Sequence, residues 1–192
     1  FLSQLLTENT IESTYKSSIT AIWKDRVAKH KEYTAKIPFS DFKVFDFICQ
    51  SLPKNSQLQV SNSSAIRYLQ LFDLDKSIQV FCNRGTSGID GSTSTAIGAA
   101  FASDLPTILI TGDISFLYDS NALWNNYIPK NFKIILLNNS GGGIFRILPG
   151  HQETETFNTY FETSHHLNAS HLAKMYGLDY FEAKDEITLQ QQ

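Results

Sequence analysis

From about residue 37 onward, short apolar runs alternate with stretches in which apolar residues recur at helical spacing. "FSDFKVFDFICQSL" opens on Ser-Asp and places Phe42, Phe45, Ile48, Cys49 and Leu52 on one helical face, which predicts a capped helix. "SQLQVSNS" reads as a short strand with a polar end, and "SAIRYLQLF" as a helix. "SIQVFCNRG" reads as a strand, and "STSTAIGAAFAS" as a small-residue helix suited to close packing on a sheet. "PTILITGD" predicts a strand, "SNALWNNYI" a helix and "FKIILLNNS" a strand. "NASHLAKMYG" predicts a helix with a C-terminal glycine, and "LDYFEA" a last strand. Residues 1 to 36 are polar and helix-prone, with Ile19, Ile22, Trp23 and Val27 near helical spacing. They read either as the end of a preceding domain or linker, or as an N-terminal helix of the domain that spans 37–192.

Strand, helix, strand, helix is the pattern of a doubly wound α/β fold, a parallel sheet with helices on both faces. Right-handed crossovers put all the carboxyl ends of such strands on one edge, where ligands bind. Four predicted strands end in polar, flexible sequence: "VSNSS", "FCNRGTSGIDG", "ITGDIS" and "LLNNSGGG". Their clustering marks that edge as a site.

Composition narrows the class of function. The chain is 42% hydrophobic and 18% charged, ordinary for a globular protein, with a formal net charge of −3. It has no basic stripe of the kind that phosphate backbones need, which argues against nucleic acid as a partner. No apolar run approaches the roughly 18 residues that would span a bilayer. Cys49 and Cys82 lack CxxC spacing and sit in apolar surroundings, so both read as buried thiols, in keeping with a cytoplasmic protein.

Asp113 follows the strand "PTILIT", and Asn138 and Asn139 end the strand "FKIILL". One helix separates them. If the two strands are neighbours, their ends lie about 5 Å apart, and a carboxylate and an amide oxygen can share one cation. With oxygen donors alone, Mg²⁺ or Ca²⁺ fits and Zn²⁺ does not. A short helix starting near Ser115 or Ser120 would turn backbone amides toward phosphate. Gly141 to Gly143 would let the backbone approach a ligand closely. These residues describe a Mg²⁺-diphosphate site.

Gly-Asp, about 25 residues, then Asn-Asn at a strand end resembles the thiamine diphosphate motif. The chain has Ile114 where the broader superfamily often has glycine, which points to one branch. "NRGTSGIDGSTSTAIG", together with "SNSSAIR", "GDISFLYDSNAL" and "NNSGGGIFRILP", resembles the MenD family, the 2-succinyl-5-enolpyruvyl-6-hydroxy-3-cyclohexene-1-carboxylate synthases of menaquinone synthesis. The likeness spans about residues 58 to 150.

That resemblance implies thiamine diphosphate as cofactor, with Mg²⁺, or Mn²⁺ in its place. It implies decarboxylation of 2-oxoglutarate and addition of the succinyl unit to isochorismate. The metal ligands would be the Asp113 carboxylate, the Asn139 side-chain oxygen and the Gly141 carbonyl. Ser63, Ile89, Gly112, Ile114, Ser115 and Ile144 would line the cofactor, with Ile89 as the apolar wedge beneath its bend. Arg67 and Arg84 would hold substrate carboxylates, for which the guanidinium fork is suited. Ile144 and Phe145 would wall the substrate pocket. Arg146, Asp90 and the histidines, His165 and His166 among them, receive no such role. Histidines here are expected to be solvated or locally bonded.

The family's activating glutamate sits in a separate N-terminal domain supplied by a partner subunit, and no Glu of this chain matches it. The chain therefore reads as the diphosphate-binding part of a longer enzyme, cut before its last strand and inactive alone. The complete chain is expected to be a homodimer or homotetramer. Two other readings remain: a different thiamine enzyme, such as acetolactate synthase or a 2-oxoacid decarboxylase, and a non-catalytic α/β module. "NSGGGIF" is neither a P-loop nor GxGxxG, which weakens the second.

Overall fold

The computed structural model describes residues 14–150 and 152–191. Residues 1–13, His151 and Gln192 lie outside them. The chain divides into two compact units, Phe1–Pro38 and Phe39–Gln192. In the first, α1 (Thr14–Lys36) carries i,i+4 ion pairs, Lys29 to Asp25 at 2.8 Å and Lys36 to Glu32 at 2.6 Å.

The second unit is built on four parallel strands: β1 (Gln57–Val60), β2 (Gln79–Cys82), β3 (Thr107–Gly112) and β4 (Phe132–Leu137). Their order is β2-β1-β3-β4, with Val60 beside Ile110 and Gly112 beside Leu137. The order reverses between β1 and β3. At such a switch point the chain leaves the two strand ends in opposite directions and opens a crevice between them.

Side chains alternate across the sheet, as the period of two requires. Leu58, Val60, Ile108, Ile110, Ile135 and Leu137 face one cluster with Phe45 and Ile48 of α2 (Asp41–Ser51) and Ile66 and Leu69 of α3 (Ser64–Leu69). Ile134 and Leu136 face the other cluster. It contains Ile97 of α4 (Ser92–Phe101), Phe116 of α5 (Asp113–Tyr118) and Leu123 of the 3₁₀ turn Ser120–Trp124. Helices thus cover both faces. Phe45, Leu58, Leu109 and Ile110 are fully buried, each contributing about 1.5–3 kcal/mol. Among the described residues, no helix is long and apolar enough to cross a membrane.

The remaining elements are α6 (Ile144–Ile147), a π-helical segment (Phe157–Glu162), α7 (Ser170–Met175) and α8 (Glu186–Gln190). Two expectations change here. The helix read in "SNALWNNYI" is only a 3₁₀ turn, and α5 begins earlier, directly at Asp113. "LDYFEA" forms no strand. Its first amide is used in closing α7 instead: Leu178 N–H donates to Ala173 O at 2.8 Å, and Gly177, at φ +69°, donates to Lys174 O at 3.3 Å. This is a Schellman closure, which spends the strand's first donor on the helix end.

Candidate functional site

The carboxyl ends of β1, β3 and β4 open on one cleft of about 850 Å³. Ser63, Arg67, Arg84, Ile89, Gly112, Asp113, Ile114, Ser115, Asn139, Gly141, Ile144 and Phe145 all line it.

Asp113 sits at its floor, 4% exposed. Its Oδ1 accepts from Ile114 N–H at 2.8 Å, and its Oδ2 from Gly141 N–H at 3.0 Å. The second bond ties the end of β3 to the glycine loop after β4, a consequence of the two strands being neighbours. Gly112 N–H in turn donates to Ser61 Oγ at 3.3 Å, tying β3 to β1. Asn139 donates through Nδ2 to Asp41 Oδ2 at 2.7 Å. Asn138 turns away and donates to Leu167 O at 2.8 Å. Of the two asparagines, only Asn139 lines the cleft.

Gly141 packs where no side chain fits. A Cβ there would lie 2.8 Å from Glu162 O. Its own carbonyl accepts from Gly143 N–H at 3.0 Å, which leaves one lone pair for another partner. Asp113, Asn139 and Gly141 together offer oxygen donors only, a set suited to a hard divalent cation. Among the described residues, no group of three or more His, Cys, Asp and Glu side chains is arranged to hold a metal.

On the β1 side, Ser63 is held at φ +79°, ψ −136°, a conformation costing a non-glycine residue about 1–3 kcal/mol. Its carbonyl accepts from Arg67 Nη1 at 2.8 Å. Arg84 Nη1 donates to Asn62 Oδ1 at 2.8 Å and to Ser87 Oγ at 3.2 Å, while Asn62 Nδ2 donates to Ser87 O. Both arginines remain exposed and line the cleft with part of their forks uncommitted. Ile89 is held through its carbonyl, which accepts from Ser115 Oγ at 2.5 Å. Tyr68, also in the lining, has its hydroxyl pKa raised by burial and then by the Asp41 charge.

Three residues make contacts that no motif in the sequence assigns. His165 is locally bonded rather than solvated: its Nδ1 accepts from Leu167 N–H at 3.1 Å, which places the neutral ring's proton on Nε2, 3.2 Å from Asp113 Oδ2. That separation is close enough for attraction, but Nε2 makes no well-formed hydrogen bond. Arg146 is clamped by Glu162, Nε to Oε1 at 2.5 Å and Nη2 to Oε2 at 2.6 Å, with Glu153 at 3.1 Å. The Glu162 bond raises the Arg146 pKa. Its role is to tie α6 to the π-helical segment. Asp41 lines the cleft and was missed, because an acid after Ser40 is what any helix start would carry.

Comparison with known proteins fits this arrangement. The family described as "Thiamine pyrophosphate enzyme, C-terminal TPP binding domain" matches residues 62–192. The 2-succinyl-5-enolpyruvyl-6-hydroxy-3-cyclohexene-1-carboxylate synthase of Flavobacterium johnsoniae is 71% identical over 91% of this chain and 32% of its own. The synthase of the same name from Flavobacterium psychrophilum is 71% identical over 94% of this chain and 33% of its own. That from Christiangramia forsetii is 58% identical over 86% and 29%. The chain thus spans about a third of the length of these relatives. The crystal structure of benzoylformate decarboxylase from Polynucleobacter necessarius superposes with a TM-score of 0.60 at 16% identity, covering 82% of this chain and 30% of that one, a likeness of fold alone. With the match covering most of its length and the parallel sheet beneath it, the chain belongs to the thiamine pyrophosphate enzymes, as their C-terminal TPP-binding domain.

Proposed function

We propose that this chain forms the diphosphate- and cation-binding side of the active site of a 2-succinyl-5-enolpyruvyl-6-hydroxy-3-cyclohexene-1-carboxylate synthase. The whole protein would decarboxylate 2-oxoglutarate and add the succinyl unit to isochorismate. The observation that carries this is the convergence of Asp113, Asn139 and the Gly141 backbone at adjoining strand ends, in a cleft also lined by Arg67 and Arg84.

Thiamine diphosphate, when bound, would supply the ylid and the electron sink. The protein's part is placement and charge. Asp113, Asn139 and Gly141 would hold Mg²⁺, or Mn²⁺, and through it the diphosphate. Ser63, Gly112, Ile114 and Ser115 would line the cofactor, and Ile89 would support its bend. Arg67 and Arg84 would receive the carboxylates of the two acidic substrates, with their geometry preset by Ser63 and by Asn62 and Ser87. Ile144 and Phe145 would exclude water from the reacting end; Phe145 is braced by Phe161, ring centroids 5.8 Å apart. The activating glutamate would come from another domain, so this chain alone is expected to be inactive. The complete protein would work in the cytoplasm as a homodimer or homotetramer with its site shared between subunits.

The test uses the full-length protein with Mg²⁺, thiamine diphosphate and 2-oxoglutarate, following carbon dioxide and adduct with and without isochorismate. Isochorismate-dependent adduct, lost in Asp113→Ala, is expected. Turnover of pyruvate without adduct would keep the cofactor and overturn the substrates. No cofactor-dependent chemistry would overturn the reading altogether.

A further inference from the structure

The two side chains that would meet the cation are held differently. The Asp113 carboxylate is gripped by two backbone amides and flanked by His165. A carboxylate also presents oxygen whichever way it turns. Asn139 has neither advantage. Its amide carries an acceptor at one end and a donor at the other, nearly identical in shape. A half-turn about the last torsion would aim NH₂ at the cation and lose the ligand. Among the described residues, the side chain's hydrogen-bond partner is Asp41, at 2.7 Å.

Resting on the cation-site reading above, we propose that Asp41 is the positioning residue that selects the ligating face of Asn139. A carboxylate facing an amide takes the NH₂ end, because it offers only acceptors. Oδ1 is thereby turned away from Asp41, and it makes no hydrogen bond among the described residues. The pair spans 98 residues of sequence and joins the first turn of α2 to the end of β4. Asp41 is itself part of the cleft lining, so it also places a negative charge near the cation. The helix does not depend on it for its start: Ser40 is the N-cap, accepting from Lys43 N–H at 3.5 Å. Partners that orient a metal's ligands typically change its affinity by about 10–100-fold.

The experiment measures Mg²⁺ affinity in the full-length protein, from the Mg²⁺ dependence of thiamine diphosphate binding, beside the melting temperature without metal or cofactor. Asp41→Ala is expected to weaken Mg²⁺ by about 10–100-fold while the metal-free melting temperature stays near wild type. Asp41→Asn keeps an acceptor oxygen at the same reach but adds an NH₂ that can face Asn139 instead, so it is expected to recover part of the loss. Wild-type Mg²⁺ affinity in Asp41→Ala overturns the proposal. Asp41→Asn as weak as Asp41→Ala also overturns it, because charge rather than amide orientation would then carry the effect. Wild-type protein and Asp113→Ala set the frame. If the wild type shows no Mg²⁺-dependent cofactor binding, or Asp113→Ala retains it, the cation-site reading fails, which is a separate result.

Discussion

The glycine loop offers a graded test, because its three glycines differ in what an added methyl group would meet. At Gly141 a Cβ would lie 2.8 Å from Glu162 O and 3.1 Å from Glu162 Cγ. Ordinary C–H···O contacts begin near 3.3 Å, so something must move by about 0.5 Å. Glu162 is poorly placed to give way. Its carbonyl already accepts from Gly142 N–H at 2.6 Å, and its carboxylate is clamped by Arg146. The loop must move instead, and it carries the Gly141 amide off Asp113 Oδ2. Overpacking of this kind costs about 1–3 kcal/mol of stability. Losing an amide bond to a charged oxygen costs about 1.5–3 kcal/mol. If the second loss falls on the cation site, Mg²⁺ affinity drops by about 10–100-fold, at 1.4 kcal/mol per decade. At Gly142 the nearest atoms lie at 3.2 to 3.3 Å, a milder clash. At Gly143 the nearest is Asn139 Nδ2 at 3.5 Å, and the backbone is helical at φ −53°, ψ −18°, so alanine fits. Alanine at the three positions in the full-length protein, read by Mg²⁺ titration and thermal melting, should rank 141 worst, 142 intermediate and 143 near wild type. A silent Gly141→Ala, or a Gly143→Ala that is the most damaging, would refute the packing argument.

Three further outcomes are expected. Arg84→Ala should raise the KM for the acidic substrates by about 10–100-fold through the lost charged hydrogen bonds, with a smaller effect on kcat; an unchanged KM would remove Arg84 from the substrate site. Asp119→Ala should cost about 1–2 kcal/mol in denaturant unfolding, because the nearly buried Asp119 carboxylate caps α4 by accepting from Ser94 N–H at 2.7 Å and Ser94 Oγ at 3.0 Å; a loss under a few tenths would contradict that role. Burial, with a further push from the Asp46 charge, raises the Cys49 thiol pKa to about 12. An unfolded thiol ionises from about 8.5, so Cys49 leaves stability untouched below that pH and lowers it progressively from there toward pH 12. Cys49→Ala should flatten that decline, which denaturation midpoints at pH 7.5 and 10 would show.

What could be read from the chain, and what could not, follows the distance over which each feature acts. β3 shows as an apolar run because it is buried on both faces, while β1, with Gln57 and Gln59 among its residues, and the exposed edge strand β2 are marked more by their polar exits, where leaving a parallel strand demands turn chemistry. The residues of the cleft sit at those exits. Asp113 follows β3, Asn139 and Gly141 follow β4, and Ser63 follows β1, so topology alone gathers them once the strands are parallel and adjacent. "LDYFEA" misleads for the complementary reason. Its composition suits a strand, yet its first amide goes to Ala173 O, five residues back, and a ladder never starts. Composition says what a segment tolerates, and hydrogen-bond accounting decides what it becomes.

The orientation of the donors is a different matter, because it is imposed by residues far away in the chain. Arg146 directly follows the glycine loop, but Glu162 claims its fork from sixteen residues further on. His165 lies in a polar stretch whose histidines read as solvated or locally bonded; its ring is bonded locally to Leu167 and also comes to rest against the Asp113 carboxylate. Asp41 looks like first-turn acid on a helix, and its partner is 98 residues distant. None of these pairs has a period or a spacing that a motif could carry. The motif therefore names which atoms are available to a cation, while the surrounding shell sets where those atoms point. Two chains with the same Gly-Asp and Asn-Asn can accordingly differ in cation affinity by the orientation of one amide. In this chain that orientation depends on a single carboxylate at the start of α2.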